Sequence, residues 1–80
     1  ARVLVVDDDD AVRRATLRLL AVLDCQAEAV SSAADALALI RQTPSAWDLV
    51  LTDYRMPGQS GLDLVRAMRA AGLPLPVVLA

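Results

Sequence analysis

The chain contains no histidine, no lysine and no phenylalanine, and it has a single cysteine; aromatic residues make up only 2% of its 80 positions. Each absence narrows the reading. A metal site here must be built from oxygen ligands, because the imidazole and thiolate sets that favour zinc are missing. One cysteine permits no internal disulfide, and Cys25 is expected to be a small buried residue on a strand. The eight basic residues are all arginine, and against ten acidic residues they leave a net charge of −2. With no basic stripe and almost no aromatic surface for base stacking, direct nucleic-acid binding is not expected. No uninterrupted apolar run approaches the roughly 18 residues of a membrane span. Ala1 to Val6 run straight into four aspartates, unlike a signal peptide, so a cytoplasmic setting is the natural expectation.

What is present points to one folded domain over residues 1–80. The apolar fraction of 56% is too high for a disordered chain, although this length lies near the lower limit for a self-sufficient core. Val3-Leu4-Val5-Val6 is a β-branched apolar run, as in a parallel strand buried on both faces. Val12, Ala15, Thr16, Leu19, Leu20 and Leu23 then recur at helical spacing, with Asp9 or Asp10 available to cap the helix. Cys25 to Val30 is a weaker strand. Ser32, with Asp35 three residues on, resembles a capping box. It opens a second helix with Ala33, Ala36, Leu37 and Ile40 on the buried side. Leu49-Val50-Leu51 forms a third strand, introduced by Trp47-Asp48 and closed by Thr52-Asp53. Leu64, Val65 and Met68 mark a third helix ending near Gly72, and Val77-Val78-Leu79 begins a fourth strand.

The order β-α-β-α-β-α-β predicts an α/β fold, a doubly wound parallel sheet with helices on both faces. Chemistry in such folds gathers beyond the carboxyl ends of the strands. The first strand ends at Asp7-Asp8 and the third at Asp53, so three distant carboxylates should meet at one edge. Left unpaired they would repel one another at a cost in stability, a conflict that a cation removes. Oxygen-only ligands suit Mg²⁺, which also favours phosphoryl transfer. A carboxylate can itself act as the nucleophile and become an aspartyl-phosphate.

An Asp-Asp pair after a strand is a weak signal alone. The segment Asp48-Leu49-Val50-Leu51-Thr52-Asp53-Tyr54-Arg55-Met56-Pro57-Gly58 is far more specific. Together with Val3-Leu4-Val5-Val6-Asp7-Asp8-Asp9, Ser60-Gly61-Leu62 and Leu75-Pro76-Val77-Val78, it closely resembles the response-regulator receiver family along the whole chain. The resemblance implies a flavodoxin-like fold with strand order 2-1-3-4-5 and a role as a phosphoacceptor in a two-component phosphorelay. It implies that Asp53 takes the phosphoryl group and that Asp7, Asp8, Asp53 and the backbone carbonyl of Arg55 hold Mg²⁺, Asp8 directly and Asp7 mainly through water. Pro57 and Gly58 would shape the loop beside the site. The Arg55 side chain either reaches the phosphate or stays solvated, and Asp10 is read as a solvated or helix-capping charge.

The donor would be a phosphohistidine on a histidine kinase or histidine phosphotransfer protein, since this chain has no histidine of its own. Output would pass to a partner, an attached effector or a kinase domain of a hybrid histidine kinase. The domain would assist its own phosphorylation and dephosphorylation without being a conventional turnover enzyme. The family also places Ser or Thr after the fourth strand, Lys after the fifth, and a closing α-β-α segment. The chain stops at Ala80, so the expectation is part of a longer protein. A disordered remainder, or a partner that completes the fold, is the alternative. Without the Lys and the hydroxyl, an 80-residue protein would be phosphorylated slowly and would not switch. The exposed fourth strand would also allow a second chain to pair, giving a dimer.

Two other functions compete. Asp8 and Asp10 echo the Asp-x-Asp of haloacid-dehalogenase-type phosphatases, which would make Asp8 the nucleophile but would require a downstream Lys. A docking module that no longer uses phosphate is the other, and the complete set Asp7, Asp8 and Asp53 argues against it.

Overall fold

The computed structural model describes residues 1–56 and 58–80. Pro57, expected to shape the loop beside the acidic cluster, lies outside the described residues. Four strands, β1 (Arg2–Val6), β2 (Gln26–Val30), β3 (Leu49–Thr52) and β4 (Val77–Leu79), alternate with helices α1 (Asp10–Val22), α2 (Ala33–Gln42) and α3 (Gly61–Ala70). A single 3-10 turn at Pro44–Ala46 joins α2 to β3. The sheet is wholly parallel in the order β2-β1-β3-β4, with Val6 level with both Val30 and Thr52. This is the expected doubly wound fold. The chain steps outward from β1 to β2, then back across β1 to β3. With right-handed crossovers, that reversal sends α1 to one face of the sheet and α2 and α3 to the other.

The two faces are unequal. Leu4, Val6 and Val50 point into a core closed by Ala33, Ala36 and Ile40 of α2, Leu64 and Met68 of α3, and Trp47. Trp47 is buried, and the Arg2 guanidinium lies 4.9 Å from the centre of its ring. On the opposite face Val3 and Val5 are buried beneath α1, yet α1 itself has no fully buried residue. Its partly covered positions are Arg13, Thr16, Leu17 and Leu20, whereas Val12, Leu19 and Leu23 are exposed. The expected stripe is therefore rotated by about one position. α1 meets β1 and β2 along the 13-16-17-20 line, and among the described residues no element covers its other flank.

Helix ends follow local chemistry. The Asp9 side chain caps α1 by accepting the Val12 N–H at 3.0 Å. Ser32 caps α2 through the Asp35 N–H at 3.1 Å, but the reciprocal bond of a full box is not made there. The complete capping box belongs to α3, where Ser60 and Asp63 exchange bonds in both directions. Cys25 does not sit on a strand. It precedes β2 and is half-buried, with its N–H donating to the Leu20 carbonyl at 2.9 Å.

Candidate functional site

The acidic cluster forms where the strand order reverses. Asp7 is the first residue past β1, and its N–H donates to the Val30 carbonyl at 3.1 Å. Asp53 is the first past β3, and its N–H donates to the Val6 carbonyl at 2.9 Å. These two bonds extend the parallel ladders by one residue and tie both aspartates to the rigid sheet. Asp8 follows Asp7 into the β1–α1 corner. One carboxylate oxygen from each of Asp7, Asp8 and Asp53 lies within 4.8 Å of the other two. Asp7 is buried, Asp53 half-buried and Asp8 exposed.

Three like charges at this separation repel one another, and among the described residues none of them forms an ion pair with an arginine. Such a set of hard, uncompensated oxygen donors fits a small divalent cation, and Mg²⁺ matches it in charge and ligand type. Asp7 also accepts the Asp9 N–H at Oδ1, at 2.9 Å, which fixes its carboxylate. Asp53 is less constrained. The Arg55 N–H lies 3.5 Å from its Oδ1, at the long limit of a hydrogen bond. The Arg55 and Tyr54 side chains are exposed.

The remaining aspartates of the acidic run are engaged elsewhere. Asp9 caps α1, while Asp10 pairs with Arg13 at 2.6 Å and with Arg14 at 2.9 Å. Asp10 is thus drawn onto the helix surface, away from the place that an Asp-x-Asp phosphatase would need it.

The loop after Asp53 is held by short-range contacts. The Thr52 hydroxyl donates to the Asp53 carbonyl at 3.1 Å, and the Gly61 N–H donates to the Tyr54 carbonyl at 2.8 Å. Beside Asp8 a cleft of about 350 Å³ opens between the β2–α2 and β3–α3 loops, with Ser31, Ser32, Met56 and Gln59 in its walls. At the base of α3 the Ser60 N–H and hydroxyl, and more weakly the nearby Arg66, hold the Asp63 carboxyl below its ordinary value.

Sequence reasoning named the three carboxylates but missed Arg13. Its guanidinium Nη1 donates to the Asp7 carbonyl at 2.9 Å, inside the corner that carries the cluster. The i,i+3 spacing from Asp10 to Arg13 was a visible signal for their surface pair. The contact with Asp7 depends on how the strand turns into the helix, which no local spacing reports.

Comparison with known proteins agrees with this geometry. The family model described as response regulator receiver domain matches residues 3–80. The two-component response regulator ARR14 of Arabidopsis thaliana is 36% identical over 98% of this chain. The sensor histidine kinase RcsC of Salmonella typhimurium is 38% identical over 95% of it. The chain spans only 20% of the first relative and 8% of the second. The crystal structure of a response regulator receiver domain protein from Clostridium thermocellum superposes over 99% of this chain and 63% of its own length. Its TM-score is 0.92 at 26% identity.

Proposed function

The chain belongs to the response regulator receiver domain family, the signalling modules of two-component systems, and on that footing we propose that Asp53 is its phosphoacceptor. The observation carrying this reading is the meeting of Asp7, Asp8 and Asp53 within 4.8 Å, with none of their carboxylates ion-paired to an arginine among the described residues. Asp53 is the half-buried member that stands at the end of β3, inside the segment Asp53-Tyr54-Arg55-Met56-Pro57-Gly58 that carries the family resemblance.

In the proposed step, an Asp53 carboxylate oxygen attacks the phosphorus of a phosphohistidine. A new O–P bond forms as the N–P bond breaks, and the departing imidazole takes up a proton. The donor is a histidine kinase or a histidine phosphotransfer protein. Asp8, Asp53 and the Arg55 backbone carbonyl would hold Mg²⁺ directly, with Asp7 acting through water. The bound cation supplies positive charge to the phosphoryl oxygens and removes the repulsion within the cluster. The ladder bonds from Asp7 and Asp53 keep the carboxylates in place, so that little reorganisation accompanies transfer.

This makes residues 1–80 part of a receiver domain, a phosphorylated signalling segment that assists its own chemistry and does not turn over a substrate. Output passes to an attached effector or kinase domain, and the natural setting is the cytoplasm, where a phosphohistidine donor would meet it. The test is an intact-mass spectrum after treatment with acetyl phosphate and Mg²⁺, beside an Asp53→Asn variant. A Mg²⁺-dependent phosphoryl adduct that vanishes in the variant supports the reading. An adduct that persists in the variant overturns it.

A further inference from the structure

The carbonyl that Arg13 grips belongs to the peptide plane joining Asp7 to Asp8. We propose that Arg13 is a positioning residue for the cation site, acting by locking that plane; the inference rests on the reading of Asp7, Asp8 and Asp53 as a cation and phosphoryl site.

The ladder gives Asp7 two fixed points. Its N–H is bonded to the Val30 carbonyl, and its Oδ1 accepts the Asp9 N–H. Its own carbonyl, like its N–H, faces β2 and lies past the last β1–β2 ladder pair, Val6–Val30, and so needs a partner from outside the sheet. Arg13 supplies it at 2.9 Å through Nη1. Through Nη2 the same guanidinium holds Asp10, the first residue of α1, at 2.6 Å. The Arg13 side chain is only 20% exposed, against 66% for Arg14, the other partner of Asp10. The planar fork therefore joins the strand end to the first helical turn, and a lysine ammonium on a flexible stem does not reproduce it. If the Asp7–Asp8 plane is free to rotate, the exposed Asp8 carboxylate moves with it, and Asp8 is the ligand with the fewest other restraints.

The sign of the effect separates positioning from simple charge. Arg13 is a cation near a site for a cation, so loss of its charge alone would tighten Mg²⁺ binding. Loss of the lock would weaken it. Arg13→Lys keeps the charge and removes the fork, Arg13→Met removes both, and Asp10→Ala leaves the bond to the Asp7 carbonyl in place.

The experiment is calorimetric titration of the intact protein with Mg²⁺ alone, for wild type and the three variants, with thermal melts in EDTA as a check on folding. The half-saturating Mg²⁺ for acetyl-phosphate labelling is measured in parallel. Arg13→Lys and Arg13→Met are expected to raise the Mg²⁺ dissociation constant about tenfold, the scale of one charge-assisted hydrogen bond. Asp10→Ala should change it less than about twofold, and the labelling rate at saturating Mg²⁺ should be retained. Unchanged or tighter Mg²⁺ binding in both Arg13 variants overturns the proposal, as does a lowered melting temperature with unaltered affinity. Wild-type protein that binds no Mg²⁺ overturns instead the reading of the site itself.

Discussion

Gly61 is packed directly against the backbone of Asp53. A Cβ placed on Gly61 would lie 2.5 Å from the Asp53 carbonyl oxygen, 2.9 Å from Leu79 Cδ2 and 3.1 Å from Thr52 Cγ2. The first residue of α3 thus rests on the end of β3, and the close approach requires the absence of a side chain. Gly61→Ala must push apart two backbone segments, and a cost of about 1–3 kcal/mol is expected from such overpacking. Urea denaturation measures it. Because the displaced backbone is that of Asp53, the phosphorylation rate should fall as well.

The core on the α2–α3 face is close-packed around Leu64, which is fully buried between β1, β3 and α2 neighbours. Leu64→Ala should destabilise the domain by about 2–5 kcal/mol, depending on how far the cavity collapses. Denaturant midpoints read this directly, and a loss under about 1 kcal/mol would contradict the packing described.

If the acidic cluster holds Mg²⁺ as proposed, stability should depend on the cation. Without Mg²⁺, Asp8→Asn should leave stability unchanged or raise it by about 1 kcal/mol, since one repelling charge disappears. With Mg²⁺ in excess the order should reverse. Wild type gains stability by mass action, about 2.7 kcal/mol at a concentration one hundred times its dissociation constant, and Asp8→Asn loses most of that gain. Melting curves in EDTA and in Mg²⁺ test both halves of the prediction.

Asp63 supplies a pH signature at the start of α3. Its carboxyl is held below the unfolded value of 3.8 by the Ser60 N–H, then by the Ser60 hydroxyl and Arg66. A depressed folded value stabilises the native state above the unfolded value, and that contribution is lost as pH falls through the folded value. Asp63→Asn should therefore reduce stability at neutral pH and flatten the acid limb below pH 3.8. A stability profile in acid buffers checks the sign.

How much of this was legible beforehand varied with the range of the interaction. The strands were readable because β-branched runs such as Val3–Val6 end at charged or turn residues. Alternation with helices then dictated a parallel sheet, which places Asp7 and Asp53 on neighbouring strand ends. The motif around Asp53 identified the family. The buried line of α1 was displaced by one position because periodicity marks an apolar stripe but not the neighbour it meets. Here Arg13, Thr16, Leu17 and Leu20 face the sheet, while Leu19 and Leu23 do not. Asp35 and Asp63 both stand three residues after a capping serine, yet only Asp63 turns back to complete its box. The choice depends on side-chain rotamers that spacing alone does not distinguish. The contact of Arg13 with the Asp7 carbonyl was hidden for a related reason, since main-chain acceptors leave no trace in sequence.

The proposed function depends on Asp53 being the phosphoryl acceptor. The most direct test is to label the intact protein with acetyl phosphate and Mg²⁺, reduce the acyl phosphate with borohydride, and locate the modified residue by peptide mass spectrometry. A single Mg²⁺-dependent mark on Asp53 is expected. A mark on Asp8, or none on folded, Mg²⁺-saturated intact protein, would contradict it.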